Sequence, residues 1–168
     1  MATGFVKTNR QAAVVVASTS AAAGTAEDKT GPLIRRWLRE REFQVVDPLV
    51  VADGQPVHDA VQEQLAAGTS VVIVTGGTGV SPDDRSPEMV EPLLDVRLPG
   101  IIEAIRRRGE ASTPLSIITR GVAGFAGKTF VITLPGSTGG VKDGLAVLDT
   151  VLEHLLTQRS GGTGHGRR

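Results

Sequence analysis

Ala12 to Ala17 is an unbroken apolar run, AAVVVA, closed by the polar cluster Ser18-Thr19-Ser20. A short run without alternation predicts a strand buried on both faces that emerges into a loop. Leu33, Ile34, Trp37 and Leu38 then share one helical face, and Arg35, Arg36, Arg39 and Glu40 take much of the other. Asp28 or Thr30 is placed to cap this helix, and Pro32 suits its first helical position. Phe43 to Val51 reads as a second strand, with Pro48 marking its later half as an edge or a bend. Val57, Ala60, Val61 and Leu65 recur at helical spacing until Gly68, and Val71 to Val74, VVIV, is the clearest strand of the chain.

Beyond a polar, glycine-rich stretch, Pro87 opens a helix capped by Ser86, and Pro99 to Gly109 forms another around Ile101, Ile102 and Ile105. Leu115 to Thr119 and Lys128 to Leu134 are predicted as short strands, and Leu145, Leu148, Leu152 and Leu155 form the stripe of a last helix. Residues 1–10 are expected to be a flexible N-terminus, 11–158 one domain, and 159–168 a disordered glycine-rich tail. Strands alternating with helices imply an α/β three-layer sandwich around a mostly parallel sheet, because parallel neighbours need crossovers. Ligands in such sheets bind at the carboxyl ends of strands.

Composition narrows the chemistry. With 168 residues there is room for one ordinary domain, and four Phe, one Trp and no Tyr leave the core to Val, Ile, Leu and Ala. Eighteen basic side chains balance eighteen acidic ones, so no basic field or aromatic stacking surface suits nucleic acid. The absence of cysteine removes thiolate metal sites and cysteine nucleophiles. The first ten residues lack a signal-peptide core, and no apolar run approaches the ~20 residues of a membrane span, so a soluble cytoplasmic protein is expected. His58, His154 and His165 show no metal-ligand spacing, and no Gly-x-Ser-x-Gly elbow occurs.

The stretch Thr75 to Glu88, TGGTGVSPDDRSPE, leaves the best strand and enters a helix. Gly76, Gly77 and Gly79 carry no Cβ to block a ligand from backbone N–H groups, Thr75 and Thr78 add hydroxyls, and the helix start near Ser86 adds its positive end. It is neither a Walker loop nor a dinucleotide fingerprint. Asp83 and Asp84 would repel a bare phosphate, a conflict that Mg²⁺ bridging Asp84 to a nucleotide triphosphate resolves; Asp83 alternatively caps the next helix. Arg85 faces either a phosphate or Glu88. A second loop, residues 134–144, repeats the pattern with Pro135, Gly136, Ser137 and Thr138 before a helix, either as an anion site or as a turn capped by Ser137. Asp53 ends the second strand on the same rim, as a ligand for Mg²⁺ or a turn former, and Ser18 and Ser20 close the first strand there.

These residues resemble the MoaB/Mog family of molybdopterin-binding proteins. The resemblance is carried by TGGTG at 75–79, Asp83-Asp84, Ser86-Pro87-Glu88, Pro99-Gly100, Thr119-Arg120 with Ala123-Gly124, and Leu134-Pro135-Gly136, and it covers residues 12–156. It implies a homotrimer in molybdenum cofactor biosynthesis that adenylylates the molybdopterin phosphate with Mg-ATP and passes its product to a molybdenum-insertion protein. By the same resemblance Asp84 and Asp53 are the catalytic and metal-holding acids, Gly76 to Gly79 hold phosphates, and Ser137 belongs to the second binding loop. The chain departs from the family pattern at Asp83, where an Arg is usual, at Thr119 in place of Ser, and in the Ser-Thr-Gly-Gly end of the second loop. The alternative is a non-catalytic molybdopterin carrier or trimeric interaction module.

Overall fold

A computed structural model describes residues 9–161. In chain order the elements are β1 (Gln11–Ala17), α1 (Thr19–Ala22), α2 (Thr30–Glu40), β2 (Gln44–Val45), β3 (Leu49–Val51), α3 (Gln55–Ala66), β4 (Val71–Thr75), α4 (Ser86–Val90), β5 (Val96–Arg97), α5 (Pro99–Glu110), β6 (Ala123–Ala126), β7 (Thr129–Leu134) and α6 (Thr138–Arg159), with 3-10 turns at Glu91–Leu93 and Pro114–Ile118. The sheet order is β2-β1-β4-β7-β6-β5, and β3 also pairs with β1. β1 pairs in parallel with β2, β3 and β4, and β4 with β7, whereas β6 and β5 run antiparallel at the far edge.

The unbroken apolar runs occupy the centre of this sheet because both faces there are covered. Val14, Val16, Ile73, Phe130 and Ile132 face α2, α5 and α6, meeting Ile34, Leu38, Ile105 and Leu148. Val15, Val72, Val74 and Val131 face the other way, onto Val57, Val61 and Val90 of α3 and α4. Two dry layers around a mostly parallel sheet make the expected three-layer α/β sandwich. Each fully buried Val or Ile contributes about 1.5–3 kcal/mol, so paired layers outweigh the backbone entropy lost in ordering the glycine-rich links.

Register fixes where the chain surfaces. Ala17 stands opposite Val51, Val16 opposite Thr75, and Thr75 opposite Leu134, so β1, β3, β4 and β7 end together on one rim.

Four sequence expectations change. The strand over 43–51 is split into β2 and β3 around Pro48, and between them Val46 is 76% exposed while Asp47 pairs with Arg35 at 3.0 Å. Residues 115–119 form no strand: Thr113 caps a 3-10 turn over Pro114–Ile118 by accepting from the Leu115 N–H, and Leu115, Ile117 and Ile118 remain exposed. β5 and β6 were not foreseen; β6 carries Gly124, where a Cβ would strike the Val96 backbone. Ser86 is not a cap but the first residue of a five-residue helix, fully buried. Of the expected tail, Arg159 ends α6 and donates to Asp95 and the Gly127 carbonyl, whereas 162–168, with His165, lie outside the described residues, as do 1–8 of the N-terminus. Among the described residues no helix is long and apolar enough to cross a membrane.

Ile73 is packed between neighbours on both flanks and fully buried. Ile73→Ala is expected to cost about 2–5 kcal/mol of unfolding free energy, and Val46→Ser less than about 0.5 kcal/mol; urea denaturation of both variants checks the contrast.

Candidate functional site

Thr75 ends β4 fully buried, and its hydroxyl donates to the Pro135 carbonyl at 2.8 Å. The next residue stays in the sheet ladder, since the Gly76 N–H donates to the Leu134 carbonyl at 3.0 Å. These two bonds tie the first glycine loop to the second, and a Cβ on Gly136 would stand 3.3 Å from the Gly76 Cα. Gly76 and Gly77 both take the left-handed conformation, with φ of 92° and 69°. A Cβ on Gly76 would strike the Ala17 carbonyl, and one on Gly77 would strike both Asp53 Oδ2 and Ser86 Oγ. The loop therefore needs glycine for its backbone conformation and for its space.

Among the described residues the N–H groups of Gly77, Thr78 and Gly79 have no hydrogen-bond partner. At the second loop Ser137 caps α6 by accepting from the Gly140 N–H at 3.1 Å, and its carbonyl takes the Val141 N–H. That leaves the first N–H groups of this 22-residue helix, those of Thr138 and Gly139, unspent. Between the loops lies a cleft of about 410 Å³, lined in part by Ser18, Thr75, Gly76, Gly77, Gly136 and Ser137.

Behind the glycines stands an acidic group. Asp53 Oδ1 accepts from the Gly54 N–H at 2.7 Å and the Arg85 N–H at 3.1 Å. Burial pushes the Asp53 carboxyl above its ordinary value, those two N–H bonds pull it back, and the Asp84 and Asp83 charges push it up again. Asp84 Oδ2 accepts from the Ser81 N–H at 3.1 Å, and a Cβ on Gly79 would approach it to 2.6 Å. No group of three acids or histidines that could hold a metal occurs among the described residues. Magnesium needs only one or two carboxylates when a substrate phosphate and water fill the other positions. Among the described residues Asp53 Oδ2 has no hydrogen-bond partner, and the repulsion of Asp53 by Asp84 and Asp83 is what a divalent cation would relieve, so these residues fit the ion.

Of the residues expected at the site, Ser18, Thr75, Gly76, Gly77, Gly136 and Ser137 line the cleft. Asp53, Thr78, Gly79 and Asp84 do not line it; Asp53 lies instead against Gly77, and Asp84 against Gly79. Ser18 spends its hydroxyl on capping α1 through the Ala21 N–H, Ser20 lies outside the cleft, and Pro135 contributes only its carbonyl to Thr75. α4 adds no helix end aimed at a ligand: it spans five residues, its first N–H goes to the Gly77 carbonyl, and Asp83 caps nothing. Arg85 does not take Glu88, because Arg120 does, holding the Glu88 carboxyl below its ordinary value.

Arg120 is the residue whose work the sequence did not show. Its Nε donates to the Gly79 carbonyl at 2.7 Å, its Nη2 to the Asp84 carbonyl at 2.8 Å, and its N–H to the Thr78 carbonyl at 2.8 Å. One guanidinium thus fastens both ends of the acidic loop, which a Lys could not do. Asp28 and Lys29, at the start of α2, also line the cleft; Asp28 accepts from the Gly31 N–H at 2.9 Å, as a capping residue would.

Residues 13–154 match the family described as a probable molybdopterin binding domain. A molybdopterin adenylyltransferase of Pyrococcus furiosus is 34% identical over 148 residues, covering 85% of this chain and 87% of that protein. A molybdenum cofactor biosynthesis bifunctional protein of Synechococcus elongatus is 38% identical over 151 residues, 89% of this chain, and the chain spans 47% of its length. The solved structure of the molybdopterin biosynthesis Mog protein from Mycobacterium ulcerans superimposes with a TM-score of 0.86 at 47% identity, covering 89% of this chain and 99% of that one.

Because the folded chain holds the Asp53 proton more tightly than the unfolded chain does, its ionised carboxylate costs stability above the folded pKa, and the cost disappears below the unfolded value. Asp53→Asn is therefore expected to raise the thermal midpoint at pH 7, and melts as a function of pH should show parent and variant converging as the pH falls below the ordinary carboxylate range.

Proposed function

The chain belongs to the family of probable molybdopterin binding domains, and on that premise we propose that it binds molybdopterin and transfers AMP from Mg-ATP to the molybdopterin phosphate. The observation that carries this reading is the pairing of unspent amides at Gly77, Thr78 and Gly79 with a repelling acidic cluster set against the same loop. Amides alone would suit any anion. Acids set directly behind them suit an anion that arrives with a divalent cation.

The chemistry balances without a protein nucleophile. An oxygen of the molybdopterin phosphate attacks the α-phosphorus of ATP, the new P–O bond forms, and the bond from that phosphorus to the bridging oxygen breaks as pyrophosphate leaves. Gly77, Thr78 and Gly79 offer N–H donors to phosphate oxygens, and Thr138 and Gly139 offer theirs at the second loop, so one ligand is held at two anionic points. Asp84 and Asp53 would hold Mg²⁺, which supplies neutralisation of phosphate charge when bound. Arg120 keeps the Gly79 and Asp84 carbonyls fixed, so the donors do not have to be reorganised during the reaction. Most of the rate enhancement then comes from positioning and charge.

The second reading, a molybdopterin carrier without turnover, is favoured by Asp83, which adds negative charge beside Asp53 where the resembling motif has Arg. Mixing the protein with molybdopterin and Mg-ATP decides between them. Adenylylated product with stoichiometric pyrophosphate is expected, and pterin binding without pyrophosphate would establish the carrier. Asp84→Ala is expected to lower turnover at least about 100-fold while pterin binding, followed by fluorescence, changes little; equal loss of both in a folded variant would refute that division.

The same reading places the protein in the cytoplasm as a homotrimer that passes its product to a molybdenum-insertion protein. It draws support from Val80, Leu115, Ile117 and Ile118, large apolar side chains 48–69% exposed in the single chain. Sedimentation at micromolar concentration should give three times the 17.5 kDa chain mass, and a monomer there would remove the trimer.

A further inference from the structure

Ser86 carries the one buried side-chain oxygen among the described residues that has no hydrogen-bond partner. Its surroundings make that more than an oddity of packing. The residue is fully buried at the start of α4, and its own N–H is committed to the Gly77 carbonyl at 3.0 Å. Its hydroxyl and the free Oδ2 of Asp53 both crowd the position a Cβ would occupy on Gly77, so the two oxygens face each other across a residue with no side chain. Asp53 Oδ1 is already held by two backbone N–H groups, whereas nothing holds Oδ2.

A buried hydroxyl with no partner carries a desolvation penalty, and a Ser in that state is replaced by Ala at no loss or with a gain in stability. A carboxylate oxygen beside it supplies the missing acceptor. We propose that Ser86 is a positioning residue: its hydroxyl donates to Asp53 Oδ2, directly after a small side-chain rotation or through one water, and fixes the carboxylate that faces the cation and nucleotide. Gly77 is then glycine for a second reason, to keep the path between these two oxygens open. The link between Ser86 and Asp53 is a property of the fold alone, while its consequence for the cation rests on the function proposed above.

Two measurements separate those parts. The first uses no ligand: thermal midpoints of the parent, Ser86→Ala, Asp53→Ala and the double variant form a cycle. Ser86→Ala should lower the midpoint in the parent and leave it unchanged or raise it in the Asp53→Ala background. Equal effects in both backgrounds, or stabilisation in the parent, would overturn the contact. The second follows Mn²⁺ binding by electron paramagnetic resonance in the presence of a non-hydrolysable ATP analogue. Ser86→Ala should weaken binding about 10–100-fold, Ser86→Thr, which keeps the hydroxyl, should restore it, and the loss should vanish in the Asp53→Ala background. Unchanged binding in Ser86→Ala, or failure of Thr to restore it in a folded variant, would overturn the positioning role. A parent that binds no Mn²⁺-nucleotide would refute the function proposed above and the positioning role with it, while the ligand-free cycle still decides the contact.

Discussion

Parallel pairing of β1 with β3 and β4, and of β4 with β7, is the constraint from which the site follows. Parallel strands are covered on both faces and joined by crossovers, so their backbones run through dry layers and surface only at the ends. When four such strands share a register, their C-terminal loops have no choice but to meet. Ser18, Asp53, Gly76 and Pro135, spread over more than a hundred positions of chain, become neighbours for that reason alone. The antiparallel β5 and β6 extend the far edge of the sheet, and the segment leading into β6 carries Arg120 back to the rim, where it bonds Thr78, Gly79 and Asp84.

What the rim does is governed by how closely backbone can approach backbone. Gly76 lies against the Ala17 carbonyl and Gly136 lies against Gly76, so the two loops approach main chain to main chain, with the Thr75 hydroxyl bonding the Pro135 carbonyl beside them. The ridge they make is thin. It borders the cleft and the N-terminus of a long helix at Gly76, Gly77 and Gly136, and it lies against Asp53 and Asp84 at Gly77 and Gly79. Unpartnered amides in the same loop as a group of acids make an arrangement for binding an anion together with its counter-cation. Arg120 keeps the ridge from collapsing toward the acids, because its guanidinium bonds carbonyls of the loop and leaves the loop's N–H groups free. Glu88 in turn holds Arg120 in place.

The amino-acid pattern by itself determined the sheet's central strands, the buried faces of α2, α3, α5 and α6, and the two glycine loops. Each of these is local or periodic, and the energy behind each is written in consecutive residues: an apolar run, a helical stripe, a glycine that alone tolerates positive φ. The pattern failed at Leu115 to Ile118, where apolar residues suggested a strand but Pro114 and the Thr113 cap set a 3-10 turn, and at β5 and β6, whose few residues pair only because distant chain brings them together.

The tertiary structure alone decided which of the chemical groups share a space. Ser18 and Asp53 both end strands on the rim, yet one lines the cleft and the other lies against Gly77. Asp83 and Ser86, two plausible caps in the sequence, turned out to cap nothing, because the Arg85 and Ser86 N–H groups were claimed by Asp53 and the Gly77 carbonyl. Arg120 looked like one basic residue among eighteen until its reach to residues forty positions earlier was visible. Contacts of this kind depend on register and crossover direction, which no window of neighbouring residues encodes, since they are fixed only when the whole sheet is assembled and its two apolar layers are closed.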